Sequence, residues 1–183
     1  IWSGAEPLCS CGGRNRDVVS LPPDERSLPK SPRWTTVSTK PVAIACDHAG
    51  FALKTDLLKQ LADMGHEVLD LGTNSEDSVD YPDFGFAMAQ AIRDGKAGLG
   101  VLVCGSGIGI SIAANRYPEV RAALIHDALG ARMCRQHNDA NVICFGGRMI
   151  GAETAKDCLK IFLETDFEGG RHGRRVDKLS APA

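Results

Sequence analysis

From residue 41 onward, short apolar runs alternate with longer segments in which apolar residues recur every three or four positions. Such runs predict strands, and such spacing predicts amphipathic helices. The five apolar runs read VAIAC, EVLDLG, GLGVLVC, RAALI and NVICFG. Helices are predicted between them, and GAETAKDCLKIFLET forms the last predicted helix. Wholly apolar strands that alternate with amphipathic helices indicate an α/β fold around a buried parallel sheet.

This pattern predicts how the chain is organised. We expect a single doubly wound, Rossmann- or flavodoxin-like domain with a five-stranded parallel sheet over residues 41–183. Residues 1–40 carry Pro, Ser, Gly and mixed charge without a sustained period of 2 or 3.6, so we expect a poorly ordered N-terminal extension there. A targeting remnant and an upstream translated segment are the other interpretations of this extension.

Composition limits the classes of partner and compartment. The 183 residues carry a formal net charge of −2, which gives no overall attraction to nucleic acid or to an anionic membrane. No apolar run approaches the roughly 20 residues needed to span a bilayer. Seven cysteines without framework spacing favour a reducing compartment, so we expect a cytoplasmic protein, or an organellar one if residues 1–40 are a targeting segment. The five histidines lack paired ligand spacing, so the sequence predicts no metal site.

The segments that follow the strands are the expected location of the site. Ligands of open parallel sheets bind beyond the carboxyl ends of the strands, near the point where the strand order reverses. The segments are Asp47-His48, Gly72-Thr73, Cys104 to Gly109, His126-Asp127 and Gly146-Gly147-Arg148. Polar residues and glycines cluster at these positions, which supports the prediction.

The segment VLVCGSGIGISIAANR places a glycine-rich turn between a predicted strand and a helix. A dinucleotide fingerprint fails because position 110 is Ile, and a nucleotide-hydrolase loop fails because no Lys and Ser/Thr pair follows Gly109. Backbone N–H groups at the helix start would stabilise an anion, while a tight turn with glycines for packing alone is the alternative. Cys104 is either a nucleophile or base whose thiolate the helix start favours, or a buried core thiol.

Three further segments carry candidate chemistry. A carboxylate beside an imidazole at Asp47-His48 suits proton transfer or anion binding, although Asp is also a good capping residue. His137 and Asn138 come just beyond a predicted helix, where a lone surface histidine is the default interpretation. The C-terminal EGGRHGRR is either a solvated basic tail or a phosphate clamp, because the guanidinium fork matches phosphate geometry.

Taken in order, these motifs resemble one family. ACDHAGF, DYPD, VCGSGIGISIAANR, RAAL, RQHNDANV, FGGR and FEGGRH resemble those of ribose-5-phosphate isomerase type B, a group that includes galactose-6-phosphate isomerase subunits. The resemblance covers about residues 41–180, so residues 41–183 are expected to form a sugar-phosphate isomerase domain. It implies an aldose–ketose isomerase that converts ribose 5-phosphate to ribulose 5-phosphate through an enediolate, without metal or cofactor.

The resemblance also implies roles for individual residues. Cys104 would be the general base that moves the proton between C2 and C1, Ser106 would help protonate or polarise the substrate oxygens, and His137 would open the furanose ring with Asp47 near it. The implied binding residues are Asn138 for the sugar hydroxyls, Gly105 and Gly109 for the enediolate oxygen, Tyr81 as pocket lining, and His48, Arg148, Arg171 and Arg175 for the phosphate. A homodimer, or a dimer of dimers, with the site between two subunits is implied as well.

Two other functions stay open at this point. The same chemistry could act on a six-carbon substrate, allose 6-phosphate or galactose 6-phosphate, and relative rates on five- and six-carbon phosphates would separate these. A non-catalytic module that binds a phosphate ligand would show affinity without turnover. A redox role for the cysteines is weaker still, because the chain has no Cys-x-x-Cys.

Overall fold

The structure is a computed structural model of the 183-residue chain, and it describes residues 40–180. The extension expected at residues 1–40 therefore lies outside the described residues, except for Lys40. The strands are β1 Val42–Cys46, β2 Val68–Asp70, β3 Leu99–Cys104, β4 Ala122–Leu124 and β5 Val142–Gly146. The helices are α1 Phe51–Asp63, α2 Tyr81–Arg93, α3 Ile108–Ala114, α4 Ala128–Asn138, α5 Ala152–Glu164 and α6 Gly173–Ser180. Among these helices, none is long and apolar enough to cross a membrane.

The five strands form one parallel sheet in the order β2-β1-β3-β5-β4. The predicted doubly wound α/β fold with a five-stranded parallel sheet is therefore confirmed. The strand order reverses between β1 and β3, as in flavodoxin-like sheets, where ligands bind at this point. Unlike the flavodoxin order 2-1-3-4-5, β5 lies between β3 and β4. The pattern of apolar runs in the sequence does not predict this position of β5.

The alternation of side chains along the buried strands creates a separate core on each face of the sheet. On one face, the apolar sides of α1, α4 and α5 pack on Ile44, Val101, Val103, Ile143 and Phe145. On the other face, α2 and α3 pack on Ala43, Ala45, Leu102 and Cys144. Cys104 ends β3 on this second face. Because all five strands are parallel, the connecting helices α1 to α4 run back from the carboxyl edge of the sheet to its amino edge.

The C-terminal segment is ordered beyond the last predicted helix. The prediction that α5 is the last helix is wrong, because a short 3-10 turn at Gly170–His172 and α6 follow it. Gly169 and Gly170 have φ angles of 65° and 54°, which turn the chain without the steric cost a side chain would add. Val176 in α6 is buried. The C-terminal EGGRHGRR, for which a solvated basic tail was one of the two interpretations, is therefore folded, although its arginines remain exposed.

A buried ion pair fixes the loop that leaves β2. Lys54 in α1 is only 1% exposed, and its Nζ donates to both carboxylate oxygens of Asp70 at 2.7 and 2.9 Å. The same carboxylate accepts a hydrogen bond from the backbone N–H of Gly72 at 2.9 Å. Lys54 therefore connects α1 to the start of the loop that leads to α2.

Candidate active site

Asp47 and Cys104 lie at the carboxyl ends of two neighbouring strands, at the point where the strand order reverses. Asp47 directly follows β1, its N–H donates to the Val103 carbonyl at 3.1 Å, and the register pairs Cys46 with Val103. The Asp47 carboxylate is buried and accepts a hydrogen bond from the N–H of Gly50 at 3.0 Å. This bond caps the 3-10 turn at His48–Gly50. The carboxylate is thus held in place beside the end of β3.

The glycine-rich turn fixes the position of the Cys104 thiol. The N–H of Gly107 donates to the Cys104 sulfur at 3.1 Å, and the Ser106 hydroxyl oxygen accepts from the N–H of Ile108 at 3.3 Å. Gly107 has a φ of 76°, and a β-carbon there would lie 2.8 Å from the Phe145 carbonyl carbon. Only glycine fits this position. The turn therefore places a thiol, a hydroxyl and the first amides of α3 together.

Arg148 adds a positive charge to this edge. The backbone N–H of Arg148 donates to the Gly105 carbonyl at 3.1 Å. A β-carbon on Gly105 would lie 3.6 Å from Nη1 of the Arg148 guanidinium. The side chain is exposed. Since the guanidinium carries a permanent charge beside a turn rich in N–H groups, this edge favours an anionic ligand.

Tyr81 and His48 complete the group at the carboxyl edge. Tyr81 begins α2, and its ring lies against Gly109, where a β-carbon would come within 2.6 Å of the ring. His48 accepts a hydrogen bond at Nδ1 from the N–H of Val79, with a donor–acceptor distance of 3.2 Å. The loop between β2 and α2 therefore positions both the His48 imidazole and the Tyr81 ring.

A second group of polar side chains lies at the end of α4. The rings of His137 and His172 stack with centroids 4.3 Å apart and planes 2° apart. The Glu168 carboxylate Oε2 lies 3.9 Å from His137 Nε2 and 3.8 Å from His172 Nε2, and Arg171 Nε donates to His172 Nε2 at 3.3 Å. Burial lowers the pKa of His172, and the nearby His137 and Arg171 lower it further. His172 is therefore favoured as a neutral imidazole.

These two groups lie at opposite edges of the sheet within one chain. Cys104 pairs with Gly146 at the carboxyl end of β5, four residues beyond Val142, which is about 13 Å at 3.3 Å per residue. α4 begins at the carboxyl edge and ends at Asn138, just before β5 starts at Val142. The Glu168 N–H donates to the Gln136 carbonyl at 3.1 Å, which places the C-terminal segment beside this same end of α4.

The structure therefore brings together some of the predicted site residues and separates others. One chain gathers at its carboxyl edge Asp47, His48, Tyr81, Cys104, Gly105, Ser106, Gly109 and Arg148. At its amino edge lie His137, Asn138, Arg171 and Arg175. The expected proximity of Asp47 to His137 is not found within one chain, because Asp47 belongs to the first group and His137 to the second.

The remaining described thiols differ from Cys104 in their surroundings. Burial raises the pKa of Cys46, Cys134 and Cys158 to about 11, and complete burial raises that of Cys144 further still. These four thiols stay protonated at neutral pH. Cys104, although only 3% exposed, is the described cysteine that lies in the glycine-rich turn.

Sequence reasoning missed Glu168 and the partnership of His172 with His137. Neighbouring histidine ligands of zinc sites are typically four to six positions apart, whereas His137 and His172 are 35 positions apart in the sequence. The folding back of the segment after α5 brings them together. Three side chains with metal-ligating atoms, those of His137, Glu168 and His172, thus lie within 4.8 Å of one another. The motif FEGGRH contains two of these residues but does not reveal the third.

The fold, with an anion-favouring turn at its strand ends, is that of an α/β protein that binds a small ligand at this edge. The ribose/galactose isomerase family matches residues 42–179. Ribose-5-phosphate isomerase B from Escherichia coli (strain K12) is 43% identical over 142 residues, which are 78% of this chain and 95% of that protein. The chain belongs to the ribose/galactose isomerase family, and it is an isomerase.

Solved structures agree with this assignment. The chain is similar to a ribose 5-phosphate isomerase from Thermotoga maritima with 48% identity and a TM-score of 0.76, over 78% of this chain and 98% of that one. It is also similar to type B ribose 5-phosphate isomerase from Trypanosoma brucei with 42% identity and a TM-score of 0.76, over 79% of this chain and 99% of that one. The predicted membership of this family is therefore confirmed.

Proposed function

We propose that this protein interconverts D-ribose 5-phosphate and D-ribulose 5-phosphate. The observation that carries the proposal is the Cys104 thiol, held by the Gly107 N–H in a glycine-rich turn beside Arg148. A base next to N–H groups suits proton transfer through an oxyanionic intermediate, because the same amides stabilise the charge as it develops. The relatives named for ribose 5-phosphate support this choice of substrate.

The proposed steps conserve all atoms of the sugar. His137 transfers a proton to the ring oxygen, the bond between C1 and the ring oxygen breaks, and the C1 hydroxyl loses its proton to water, which opens the furanose and leaves an aldehyde at C1. The Cys104 thiolate then takes the C2 proton, the electron pair of the C2–H bond forms the C1–C2 double bond, and the π pair of the C1 carbonyl moves onto O1 to give the enediolate. A proton then passes from the O2 hydroxyl to O1, and the C1–C2 double bond takes a proton back from the Cys104 sulfur at C1, which leaves the ketone at C2 and restores the thiolate. The amides of Gly105 and Gly109 face the negative oxygen, and Ser106 polarises it.

Remote contacts supply binding energy for this step. We assign the phosphate to His48, Arg148, Arg171 and Arg175, the sugar hydroxyls to Asn138, and the wall of the pocket to Tyr81. Phosphate binding orients C1 and C2 at the thiol, because energy from the non-reacting end of a substrate offsets the cost of positioning the reacting end. A buried Asp47 would orient the groups that contact the ring.

The two edges of the sheet lead us to propose that two copies of the chain form each site. His137 and Asn138 of one protomer would face Cys104 of its partner, in a homodimer or a dimer of dimers. Several apolar side chains around the carboxyl edge are more than half exposed, which supports association of this surface. They are Ile108, Ile112, Leu129 and Met149.

We also place the reaction in a reducing compartment such as the cytoplasm. The five described cysteines are all free and buried. Free buried thiols are common in compartments where disulfides are kept reduced.

Proton NMR in deuterated water tests the activity directly. The protein is incubated with ribose 5-phosphate and a chelator, and the proposal predicts ketose formation with loss of the C2 proton signal and deuterium at C1. Cys104→Ala should lower the rate by at least about 100-fold, since general-base catalysis contributes that much or more. An unchanged spectrum from folded protein would overturn the pentose assignment. Six-carbon sugar phosphates are run in parallel, because their turnover would identify the alternative substrate.

A further inference from the structure

The amino edge contains a side-chain cluster whose chemistry extends beyond sugar isomerisation. His137 comes from the end of α4, Glu168 from the segment after α5, and His172 from the following 3-10 turn. Two imidazole nitrogens and one carboxylate oxygen thus lie within 4.8 Å of one another. Two histidines and one glutamate form a recurrent zinc ligand set, with a fourth position for water.

We propose that His137, Glu168 and His172 bind a Zn²⁺ ion, and that the bound ion inhibits the isomerase. The inhibition rests on the proposed function of His137, whereas the binding itself does not. The inhibition follows from a shared atom: His137 Nε2 cannot hold a metal ion and transfer a proton to the sugar at once. The site would therefore act as an inhibitory metal site within the substrate pocket.

The distances between the ligand atoms suit a shared ion. Glu168 Oε2 lies 3.9 Å from His137 Nε2 and 3.8 Å from His172 Nε2. An ion bonded at about 2.1 Å to each of two atoms can join atoms up to roughly 4.2 Å apart. Both carboxylate–imidazole pairs fall within this limit. Closer, tetrahedral ligation requires small rotations, which the half-exposed Glu168 side chain permits.

Two local changes must accompany metal binding. Arg171 Nε donates to His172 Nε2, so the guanidinium has to move away before that lone pair can bind an ion. The stacked imidazoles are nearly parallel, so the partly exposed His137 ring has to tilt until both nitrogens face one point. Arg171 is exposed and can swing into solvent. The Arg171 charge weakens the attraction for a cation, which makes zinc affinity sensitive to this side chain.

Zinc titration by isothermal calorimetry tests the binding without reference to activity. The full chain is used with Cys9→Ser, Cys11→Ser and Cys104→Ala, which removes the loop thiol and the two closely spaced thiols of the N-terminal extension. The proposal predicts one Zn²⁺ per chain. Glu168→Gln should weaken it by at least about tenfold, a loss typical even of residues that only support a metal ligand. His126→Gln, at an exposed histidine outside the cluster, is the matched control and should change affinity less than about twofold.

A second variant and an activity assay complete the test. His172→Asn should weaken zinc as Glu168→Gln does, with folding checked by circular dichroism because His172 is buried. In the unmodified protein, zinc should suppress isomerase turnover and excess chelator should restore it. Absent zinc binding, or equal affinity in Glu168→Gln and His126→Gln, would overturn the site. Zinc binding without any isomerase activity would leave the site standing and count against the proposed function alone.

Discussion

The Cys104 thiol and the His137 imidazole lie at opposite edges of one parallel sheet. Cys104 ends β3 at the carboxyl edge, whereas His137 lies in the last turn of α4, which has by then returned to the amino edge. The proposed base and the proposed ring-opening group therefore lie too far apart to act on one sugar within a single chain. The proposed chemistry therefore requires that two chains pair the carboxyl edge of one with the amino edge of the other.

The contact between Gly109 and Tyr81 predicts a sensitive position in the proposed pocket wall. Gly109→Ala places a β-carbon within 2.6 Å of the Tyr81 ring, which has to move. We expect kcat/KM to fall about tenfold, because small misplacements of positioning groups have large effects on rate. Steady-state kinetics measures this. Gly151→Ala is the matched control, since a β-carbon there meets no atom within 4 Å. Equal kcat/KM values for the two variants would contradict the placement of Tyr81 in the pocket wall.

The buried Lys54–Asp70 pair predicts a loss of stability on truncation. Lys54→Met leaves the Asp70 carboxylate without its cation, and we expect the free energy of unfolding to fall by about 2 kcal/mol. This is below the range for a fully buried pair because the Asp70 side chain is 36% exposed. Urea unfolding gives the value. Lys156→Met, which breaks the exposed Lys156–Glu153 pair, should cost less than about 1 kcal/mol. A similar loss in the free energy of unfolding for both variants would contradict the stabilising role of the buried Lys54 side chain.

The buried thiols predict a loss of stability at alkaline pH. Burial raises the pKa of Cys158 from 9.0 to about 11, so between these values the native state holds a proton that the unfolded state has released. Stability from this group is complete below pH 9 and declines as pH rises towards 11, by at most about 1.4 kcal/mol per pH unit. Cys158→Ala should make this decline shallower in unfolding measured from pH 8 to 11. An unchanged slope would show that Cys158 does not contribute.

The sequence predicted the carboxyl-edge group well for a physical reason. Parallel strands end at a common edge, so Asp47, Cys104 and Arg148 could be placed together from the apolar runs that precede them. The amino-edge group could not be assembled in this way. Its members come from α4 and from a segment that folds back through Gly169 and Gly170, and no periodicity encodes such a return.

The order of β4 and β5 in the sheet could not be predicted from the sequence either. Both strands are short and apolar, and their order depends on which of the two pairs with β3. α6 was missed because it begins at a glycine and carries few apolar residues, with Val176 as its buried contact. A helix such as α6, which is stabilised by tertiary packing, therefore carries few of the local sequence features that predict where a helix begins.

A subunit-mixing experiment tests the two-chain site most directly. Cys104→Ala and His137→Asn proteins, each inactive alone, are unfolded together and refolded as a mixture, and the rate of ribulose 5-phosphate formation is measured. Each mixed dimer would hold one site with both substitutions and one site with neither, so a statistical mixture should recover about a quarter of the activity of the unmodified protein. No recovery from correctly refolded mixed dimers would show that Cys104 and His137 do not meet across the interface, and would contradict the account.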